Sequence, residues 1–254
     1  MIDPIPALAS CKFYHAMDLP QIGFVQGEWD LRGRFDDYIG GVKLRDRSVL
    51  DVGTASGFLS FEAERQGARS VTSFNAASAS QLQRNPGLEA SEADFEAQLN
   101  SYRLAHRLLE SKAVPIFGDI YRLSDIAPKS DVVIAGQVLV HLRDPFGALE
   151  QIARCSGDTL VIAESMFDHP DPIAAYLGGT TPISWFHFST GIYRQFLPRR
   201  LRNYQHPARQ VPLRQDGCRR SGVDARGTAA LNCVFAAASP FARWRRRPPA
   251  ASRR

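Results

Sequence analysis

The stretch SVLDVGTASGFLSFEAERQGARSVTSFNA, residues 48–76, decides the fold. Its apolar runs and helical spacing predict, in order, a strand, a helix and a second strand, at 48–52, 58–66 and 70–74. Gly53 permits a sharp turn at the end of the first strand, and Gly57 lets the following helix pack closely. A strand, a glycine turn, a helix and a strand form the unit that binds nucleotides at the start of its helix.

The same alternation continues to residue 164. It predicts two more helices and three more strands, at 88–111 and 145–155 for the helices and at 114–117, 131–135 and 159–163 for the strands. Strands that are apolar on both faces and separated by helices are typical of a parallel sheet covered on both sides. The sequence therefore predicts a doubly wound α/β domain whose ligand lies outside the carboxyl ends of the strands, near the point where strand order reverses.

Composition divides the chain into three segments, residues 1–47, 48–197 and 198–254. The first mixes short apolar pieces with turns, and we expect it to form a cap over one end of the sheet, with a short helix at 29–39. The second is the α/β domain. In the third, Arg, Pro, Ala and Gly dominate and neither period is sustained, so disorder is expected there.

The net charge of +5 is unevenly distributed along the 254 residues. Residues 198–254 carry 14 arginines, no lysine and two acids, a net charge of +12, which leaves −7 for residues 1–197. An acidic body argues against a broad nucleic-acid surface, because that mode of binding depends on many phosphate-neutralising Lys and Arg side chains. The basic character belongs to the tail alone.

The cysteines and the first residues of the chain indicate in which cellular compartment the protein is expected. The four cysteines are scattered, and their spacing indicates neither a zinc site nor a disulfide framework. The first residues lack the basic region and apolar core of a signal peptide. No apolar run approaches the roughly 18–20 residues that a membrane span requires. We therefore expect a soluble cytoplasmic protein with no metal site and no membrane partner.

Asp51, near the end of the first strand of the unit, narrows the choice of ligand. A dinucleotide pyrophosphate is held by open amides at a helix start, away from negative charge. A carboxylate just ahead of the turn instead suits a cationic or amine-bearing ligand. An NAD-binding oxidoreductase is therefore disfavoured, also because Ser60 stands where its third glycine is expected. An ordinary βα turn without a ligand is the other alternative.

Four motifs, in this order, resemble those of class I S-adenosylmethionine-dependent methyltransferases: DVGTASG (51–57), GDIYRL (118–123), DVVIAGQVLVHLRDPFGALEQIAR (131–154) and TLVIAE (159–164). The lead-in FYHAMDLPQIGFVQGEWDLR is similar to that of one subgroup of these enzymes, and the tRNA wobble-uridine carboxymethyltransferases share part of the glycine-turn region. The resemblance covers about residues 13–197. It implies a Rossmann-like fold, S-adenosyl-L-methionine as the cofactor, and methyl transfer to a small molecule or a modified nucleoside.

The resemblance also implies which residues hold the cofactor. Those at its methionine half are Asp51, Gly53, Thr54, Ala55 and Gly57. Asn75 is implied at the ribose, and Asp119 with Ile120 at the adenine. Gln137 is implied at the mouth of the fourth strand. Two of these depart from the family pattern, since Ala55 replaces a glycine and Asn75 replaces the acid that holds the ribose. Because asparagine lacks the charge and the second oxygen, we expect cofactor affinity to be lower by about tenfold without being lost.

Four residues at the substrate end each have two interpretations. His141 is a candidate proton acceptor in catalysis, or it braces its loop through a backbone hydrogen bond. Trp185 and His187 belong to an aromatic wall over the substrate or to the core. Glu164 orients a substrate amine or caps a loop. No cysteine or metal is assigned a role.

The end of the chain departs from the family. Methyltransferases of this class close the sheet with two further strands, the last one antiparallel, and residues 198–254 do not show that pattern. Their bias is typical of out-of-frame reading of a GC-rich gene, so one hypothesis is a replaced C-terminus, with closing strands missing or aberrant and an exposed edge at the fifth strand. The alternative is a genuine basic arm that binds nucleic acid or anionic lipid.

The expected partner is a small-molecule substrate. Nucleic acid is expected as a partner only if it is a tRNA-type substrate or binds the basic tail. The alternative function is a non-catalytic or truncated relative that binds the cofactor weakly. The sequence leaves the acceptor atom and the oligomeric state open.

Overall fold

A computed structural model of the chain describes residues 6–85, 90–177 and 183–196, together with the backbone of 232–237. The strands in these ranges are β1 (Met17–Leu19), β2 (Gly23–Val25), β3 (Ser48–Val52), β4 (Ser70–Asn75), β5 (Val114–Phe117), β6 (Ser130–Gly136), β7 (Ser156–Glu164), β8 (Met166–Phe167), β9 (Ala174–Tyr176), β10 (Phe186–Ser189) and β11 (Asn232–Ala237). The α-helices are α1 (Phe35–Tyr38), α2 (Phe58–Arg65), α3 (Glu92–Leu108), α4 (Leu123–Ile126), α5 (Pro145–Cys155) and α6 (Thr190–Phe196).

The central sheet has six strands in the order β5-β4-β3-β6-β7-β11. Every neighbouring pair in it is parallel. The direction of winding reverses between β3 and β6, which places the topological switch point at the carboxyl ends of these two strands. The predicted doubly wound, mostly parallel α/β fold is confirmed.

Alternate residues of the strands point into two core layers, as the period of two requires. In β6, Val132 and Ile134 belong to the layer that contains α2, α3 and the N-terminal cap. Val133 and Ala135 belong to the layer that contains α5. The sheet is therefore buried on both faces, which explains why its strands read as continuous apolar runs.

Side-chain caps determine where two of the long helices begin. Ser91 accepts a hydrogen bond from the N–H of Asp94 at the start of α3, and Asp144 accepts one from Gly147 at the start of α5. Pro145 occupies the first turn of α5, where its missing N–H costs nothing. The helix predicted at 88–111 ends earlier than expected, since α3 ends at Leu108. Residues 86–89 lie outside the described part.

The N-terminal segment packs over the sheet as a cap. Its β1 and β2 form an antiparallel hairpin, and the core layer of α2 includes Phe13, Leu19 and Val25. The predicted helix at 29–39 is wrong in its first half, since only α1 is helical and Trp29 instead pairs with His15 in a β-bridge.

Two short additions follow β7. The strands β8, β10 and β9 form a small sheet that the sequence pattern does not predict, because strands of two to four residues are too short to show an alternating pattern.

In the tail, β11 pairs in parallel with β7 from Thr159 to Glu164. The expected disorder and the exposed edge are corrected for these six residues; the rest of 197–254 lies outside the described part. The strand is single and parallel, and the antiparallel partner typical of the family is not among the described residues.

Within the described ranges, every helix is too short or too polar to cross a lipid bilayer.

Candidate functional site

The turn between β3 and α2 has the backbone geometry that its glycines predict. Gly53 has a φ of +77°, and a Cβ there would lie 2.6 Å from Cγ2 of Val138. Gly57 has a φ of +93°, and its Cβ would lie 2.4 Å from the ring of Phe61. Glycine is required at both positions, since other residues rarely adopt this φ and their Cβ would clash. Ala55 has a φ of +50°, a conformation that glycine adopts at lower cost.

Backbone hydrogen bonds attach this turn to β4. The N–H groups of Gly53 and Thr54 both donate to the carbonyl of Phe74, at 2.9 and 3.0 Å. The N–H of Gly57 donates to the carbonyl of Thr54 at 2.8 Å. The turn is therefore held beside Asn75, the residue that follows Phe74. The predicted methionine-half residues and the predicted ribose residue come together at one edge of the sheet.

Asp51 is fully buried beneath this turn. Its Oδ2 accepts a 2.7 Å hydrogen bond from the hydroxyl of Ser60, whereas its Oδ1 has no partner among the described residues. Burial raises the pKa of Asp51 to about 6, although the hydrogen bond from Ser60 opposes the rise. A buried carboxylate oxygen without a donor is costly, so this position is suited to a ligand that brings a donor or a positive charge.

Ser60 is not among the predicted site residues, yet it orients Asp51. Its hydroxyl lies 2.7 Å from that of Ser73 and 3.1 Å from that of Thr54. A hydroxyl has one proton, and Ser60 gives it to Asp51, so Ser73 and Thr54 must donate to Ser60. The only signal in the sequence is a serine within the apolar run FLSF at the start of α2.

Asn75, predicted at the ribose, is the last residue of β4 and is 9% exposed. Its Oδ1 accepts a 3.0 Å hydrogen bond from the N–H of Ala76. Its backbone carbonyl accepts one from Gly118 at 3.1 Å. The side-chain oxygen thus already has a backbone donor, and one lone pair is left for a ligand hydroxyl.

Asp119 and Ile120, predicted at the adenine, follow β5. Asp119 is exposed, and its Oδ1 accepts a 2.9 Å hydrogen bond from the N–H of Tyr121. Ile120 is half-buried against the core layer of α5. Beside them lies an open pocket of about 870 Å³ between the loops that follow β4 and β6, lined in part by Gln83, Tyr121 and Arg143.

Gln137 and Glu164 lie at the ends of β6 and β7. Gln137 has a φ of +55°, and its N–H donates to the carbonyl of Ala163 at 2.8 Å. Glu164 accepts two hydrogen bonds of 2.7 Å at Oε1, from the N–H groups of Val138 and Leu139. Glu164 therefore caps the loop after β6, as one of its two interpretations predicts.

The second oxygen of Glu164 has no such partner. Its Oε2 is buried and unbonded among the described residues. Burial raises the pKa of Glu164 to about 8, against the lowering effect of the loop N–H groups. Capping uses one oxygen only, so the other interpretation, contact with a substrate amine, is compatible with the same geometry.

His141 and Trp185 are brought together by the loop after β6. Nδ1 of His141 lies 2.8 Å from the carbonyl of Ile183, and because a carbonyl only accepts, Nδ1 carries the proton. Burial lowers the pKa of His141, which favours the neutral ring with a lone pair on Nε2. The backbone of Trp185 donates to the carbonyl of Val140 at 2.7 Å, and its indole donates to Gln83 at 3.0 Å. His141 thus braces the loop, as one of its two interpretations predicts, and Trp185 is buried against the same loop.

His187 lies elsewhere, on the small sheet. Its ring packs edge-on against Phe167 at a centroid distance of 5.3 Å, and burial lowers its pKa. No group of three or more His, Cys, Asp or Glu side chains in the described ranges is arranged to hold a metal ion.

The candidate residues Asp51, Asn75, Gln137 and Glu164 thus lie at the carboxyl ends of adjacent strands, on both sides of the point where strand order reverses. That is the edge at which open parallel sheets bind their ligands. The chain has a Rossmann-like α/β fold.

Comparison with known proteins gives matches among solved structures. No model of a known family matches the chain, and no curated protein matches it. An S-adenosylmethionine-dependent methyltransferase from Mesorhizobium loti matches at 14% identity and a TM-score of 0.45, over 66% of this chain and 80% of that one. Magnesium protoporphyrin IX methyltransferase from Synechocystis PCC 6803, with bound S-adenosylmethionine, matches at 16% identity and a TM-score of 0.42, over 66% and 64%.

A further match is the [4+2]-cyclase SpnF, at 16% identity and a TM-score of 0.46, over 64% of this chain and 53% of that one. The chain therefore spans less than two thirds of the Synechocystis enzyme and about half of the cyclase. At this level of similarity, function has to be inferred from the residues of the chain itself.

Proposed function

We propose that the chain binds S-adenosyl-L-methionine and transfers its methyl group to a small molecule or a modified nucleoside. The observation that carries this proposal is Oδ1 of Asp51, a fully buried carboxylate oxygen without a protein partner beneath a glycine turn. A cationic ligand relieves the cost of that oxygen, and an anionic one increases it.

The donor set of the site fits this cofactor. S-adenosylmethionine carries an ammonium group for Asp51, ribose hydroxyls for Asn75 and an adenine amine for Asp119. A Cβ at Gly53 or Gly57 would clash with Val138 or Phe61, so the two glycines allow the turn to keep this conformation close to Asp51. When bound, the cofactor supplies a methyl group on a positively charged sulfur, which makes that group an electrophile without help from the protein.

The residues of the chain therefore need to bind, orient and exclude water. Ser60 keeps one oxygen of Asp51 in place, so the free oxygen has a defined direction. Trp185 is buried beside His141 and encloses the loop that follows β6. His141, neutral with its lone pair on Nε2, is one candidate for accepting a proton from the methyl acceptor, and the unpaired oxygen of Glu164 is another.

A second function is favoured by one specific contact. Oδ1 of Asn75 is already bonded to the N–H of Ala76, so its hold on a ribose is weaker than that of a two-oxygen carboxylate. This favours a non-catalytic relative that binds the cofactor weakly. The two functions use the same binding site. They differ in catalytic turnover, which the non-catalytic relative lacks, and in cofactor affinity, which is lower in that relative.

Isothermal titration calorimetry of the full chain separates these functions from each other and from dinucleotide binding. We expect S-adenosylhomocysteine to bind in the micromolar range, which corresponds to about −8 kcal/mol. Binding weaker by several orders of magnitude supports the non-catalytic relative. Binding of NADH in place of S-adenosylhomocysteine would contradict the proposal, because it requires a pyrophosphate next to Asp51.

A further inference from the structure

The N-terminal cap brings two tyrosines to the carboxyl ends of β6 and β7. Tyr38, the last residue of α1, lies directly over Gly136: a Cβ on that glycine would be 2.6 Å from the tyrosine hydroxyl oxygen. Tyr14 precedes the bridge residue His15. Gly136 pairs with Ala163, the residue before Glu164, so the hydroxyl of Tyr38 lies near the end of β7. Burial raises the pKa of both tyrosines; the charge of Glu164 adds to the rise for Tyr38, and the charges of Glu28 and then Glu164 add to it for Tyr14.

The cap is held firmly against the turn between β3 and α2, residues 53–57, which we call the cofactor turn because the proposed cofactor binds there. The N–H of His15 donates to the hydroxyl of Ser56 at 3.1 Å, inside the turn itself. The N–H of Trp29 donates to the carbonyl of Tyr14 at 2.9 Å, and the N–H of Ala16 donates to that of Trp29 at 2.8 Å. The backbone is thus fixed at Tyr14 and at the two residues that follow it, which ties Tyr14 to the turn and to Trp29.

The groups that surround these hydroxyls carry no positive charge. The charges that shift the pKa of Tyr38 are those of Glu164 and Asp51, with Tyr14 as a further neighbour. Those that shift Tyr14 are Glu28 and Glu164. No lysine or arginine acts on either tyrosine among the described residues. An anionic acceptor such as a carboxylate or a phosphate would find only like charges here.

Two buried oxygens at this place lack a donor. Oε2 of Glu164 and Oδ1 of Asp51 are both fully buried and unbonded among the described residues. They belong to neighbouring regions of the sheet edge, on either side of Gly136 in β6. Because the proposed cofactor ammonium bonds Oδ1 of Asp51, Oε2 of Glu164 is the oxygen left for a donor on the acceptor, and an apolar or anionic acceptor would leave it unpaired.

We propose that Tyr38 and Tyr14, together with Glu164, form the acceptor pocket, and that the acceptor is an amine. This inference rests on the proposed function, since it places the acceptor beside the cofactor turn. Tyr38 and Tyr14 position the amine with their hydroxyls. A neighbouring ammonium favours the ionised form of Glu164, whose Oε2 then accepts the proton that the ammonium must lose: the N–H bond breaks, its electron pair stays on nitrogen as the nucleophile, and an O–H bond forms on the carboxylate.

Two cofactor analogues test the pocket without knowledge of the acceptor. S-adenosylhomocysteine has a neutral thioether at the reacting position, and sinefungin has an ammonium group there. Calorimetry with both ligands is carried out on the wild-type chain and on Tyr38→Phe, Tyr14→Phe and Glu164→Gln. Tyr176→Phe is the matched control, because Tyr176 is 59% exposed on β9.

In the wild type, we expect sinefungin to bind about tenfold more tightly than S-adenosylhomocysteine, because Oε2 of Glu164 and the tyrosine hydroxyls bond the ammonium group at its reacting position. Tyr38→Phe and Glu164→Gln should each remove most of that preference and change S-adenosylhomocysteine affinity by less than about twofold. Equal losses for both ligands, or no loss in any variant, would overturn the pocket assignment while leaving the proposed function intact. If neither ligand binds the wild type, the proposed function itself fails, and the acceptor pocket fails with it.

Discussion

The hydroxyl of Ser60 donates a 2.7 Å hydrogen bond to Oδ2 of Asp51, within the buried interior beneath the cofactor turn. Because Ser73 and Thr54 in turn donate to Ser60, a chain of three hydroxyls ends on this carboxylate. Such a chain fixes the carboxylate in one orientation. The site is therefore ordered before any ligand arrives. Because Oδ1 stays unpaired, a ligand that brings a hydrogen-bond donor is stabilised most at this site.

Replacing Asp51 by Asn should stabilise the free protein and abolish cofactor binding. The folded-state pKa of Asp51 is raised from 3.8 to about 6, so its contribution to stability is present at low pH and is lost as pH rises through 6. The ionised form at neutral pH therefore costs up to about 3 kcal/mol, which Asp51→Asn removes. Urea unfolding at neutral pH and at about pH 4, where the gain should vanish, measures this together with calorimetry against S-adenosylhomocysteine.

The exposed Asp37→Asn is the control for that substitution, and it should alter neither quantity. A variant of Asp51 that loses stability at neutral pH would show that the carboxylate is a structural partner of Ser60 rather than a strained binding group.

The strands of the central sheet are predictable from sequence because burial on both faces leaves continuous apolar runs, as at 131–135. The glycine turn is predictable because Gly53 and Gly57 must adopt positive φ. The link from Ser60 to Ser73 is not, because it joins α2 to β4 and depends on how closely the helix packs on the sheet. A local pattern contains no information on that distance.

Glu164 should make the protein less stable as pH rises. Its folded-state pKa is raised from 4.5 to about 8, so its contribution is fully present below 4.5 and is lost as pH increases through 8. The tyrosines that face it, Tyr14, Tyr38 and Tyr193, have raised pKa values and stay neutral across this window. Asp51 titrates in the same window but is common to wild type and variant.

The measurement is the melting temperature of wild type and Glu164→Gln from about pH 5 to about pH 9. We expect the difference between the two curves to grow with pH in favour of the variant. The exposed Glu110→Gln should follow the wild-type curve. Parallel curves for wild type and Glu164→Gln would mean that the carboxyl group does not titrate in the folded state.

Gly57→Ala should be among the most destabilising substitutions in the turn. The new methyl group would lie 2.4 Å from the Phe61 ring and 2.9 Å from that of Tyr102, at a φ of +93°. The strained φ costs roughly 1–2 kcal/mol and the overpacking a further 1–3 kcal/mol. Gly23→Ala has a similar φ of +84° with no atom within 4 Å, so it isolates the backbone cost. Urea unfolding of both variants should differ by the overpacking alone, and equal losses would refute the close contact.

The position of the cap illustrates a second limit of sequence reading. Residues 1–47 predict a cap over the sheet, but not that Tyr38 of α1 reaches Gly136. The helix predicted at 29–39 would have placed Trp29 and Tyr38 on one continuous element. Instead Trp29 pairs with His15 in a bridge, a non-local contact without a sequence period. The residues that we assign to the acceptor therefore become visible only in the folded chain.

Asn75→Asp should tighten cofactor binding. A carboxylate can keep the hydrogen bond from the N–H of Ala76 with one oxygen and offer the second, with its charge, to a ribose hydroxyl. We expect the affinity for S-adenosylhomocysteine to rise about tenfold in calorimetry. Asn100→Asp adds the same charge on α3 and should leave the affinity unchanged. An unaltered dissociation constant for Asn75→Asp would show that this residue does not touch the ribose.

The pairing of β11 with β7 should protect the edge of the sheet from self-association. Val234 and Phe235 lie opposite Val161 and Ile162, and successive N–H groups of a strand point to opposite sides. Only one of Val234→Pro and Phe235→Pro therefore removes a hydrogen bond to β7, and each serves as the control for the other. We expect one of them to expose the edge and to raise the sedimentation coefficient with increasing protein concentration, while the other stays like the wild type. If both variants sediment as the wild type does, β11 does not cover β7.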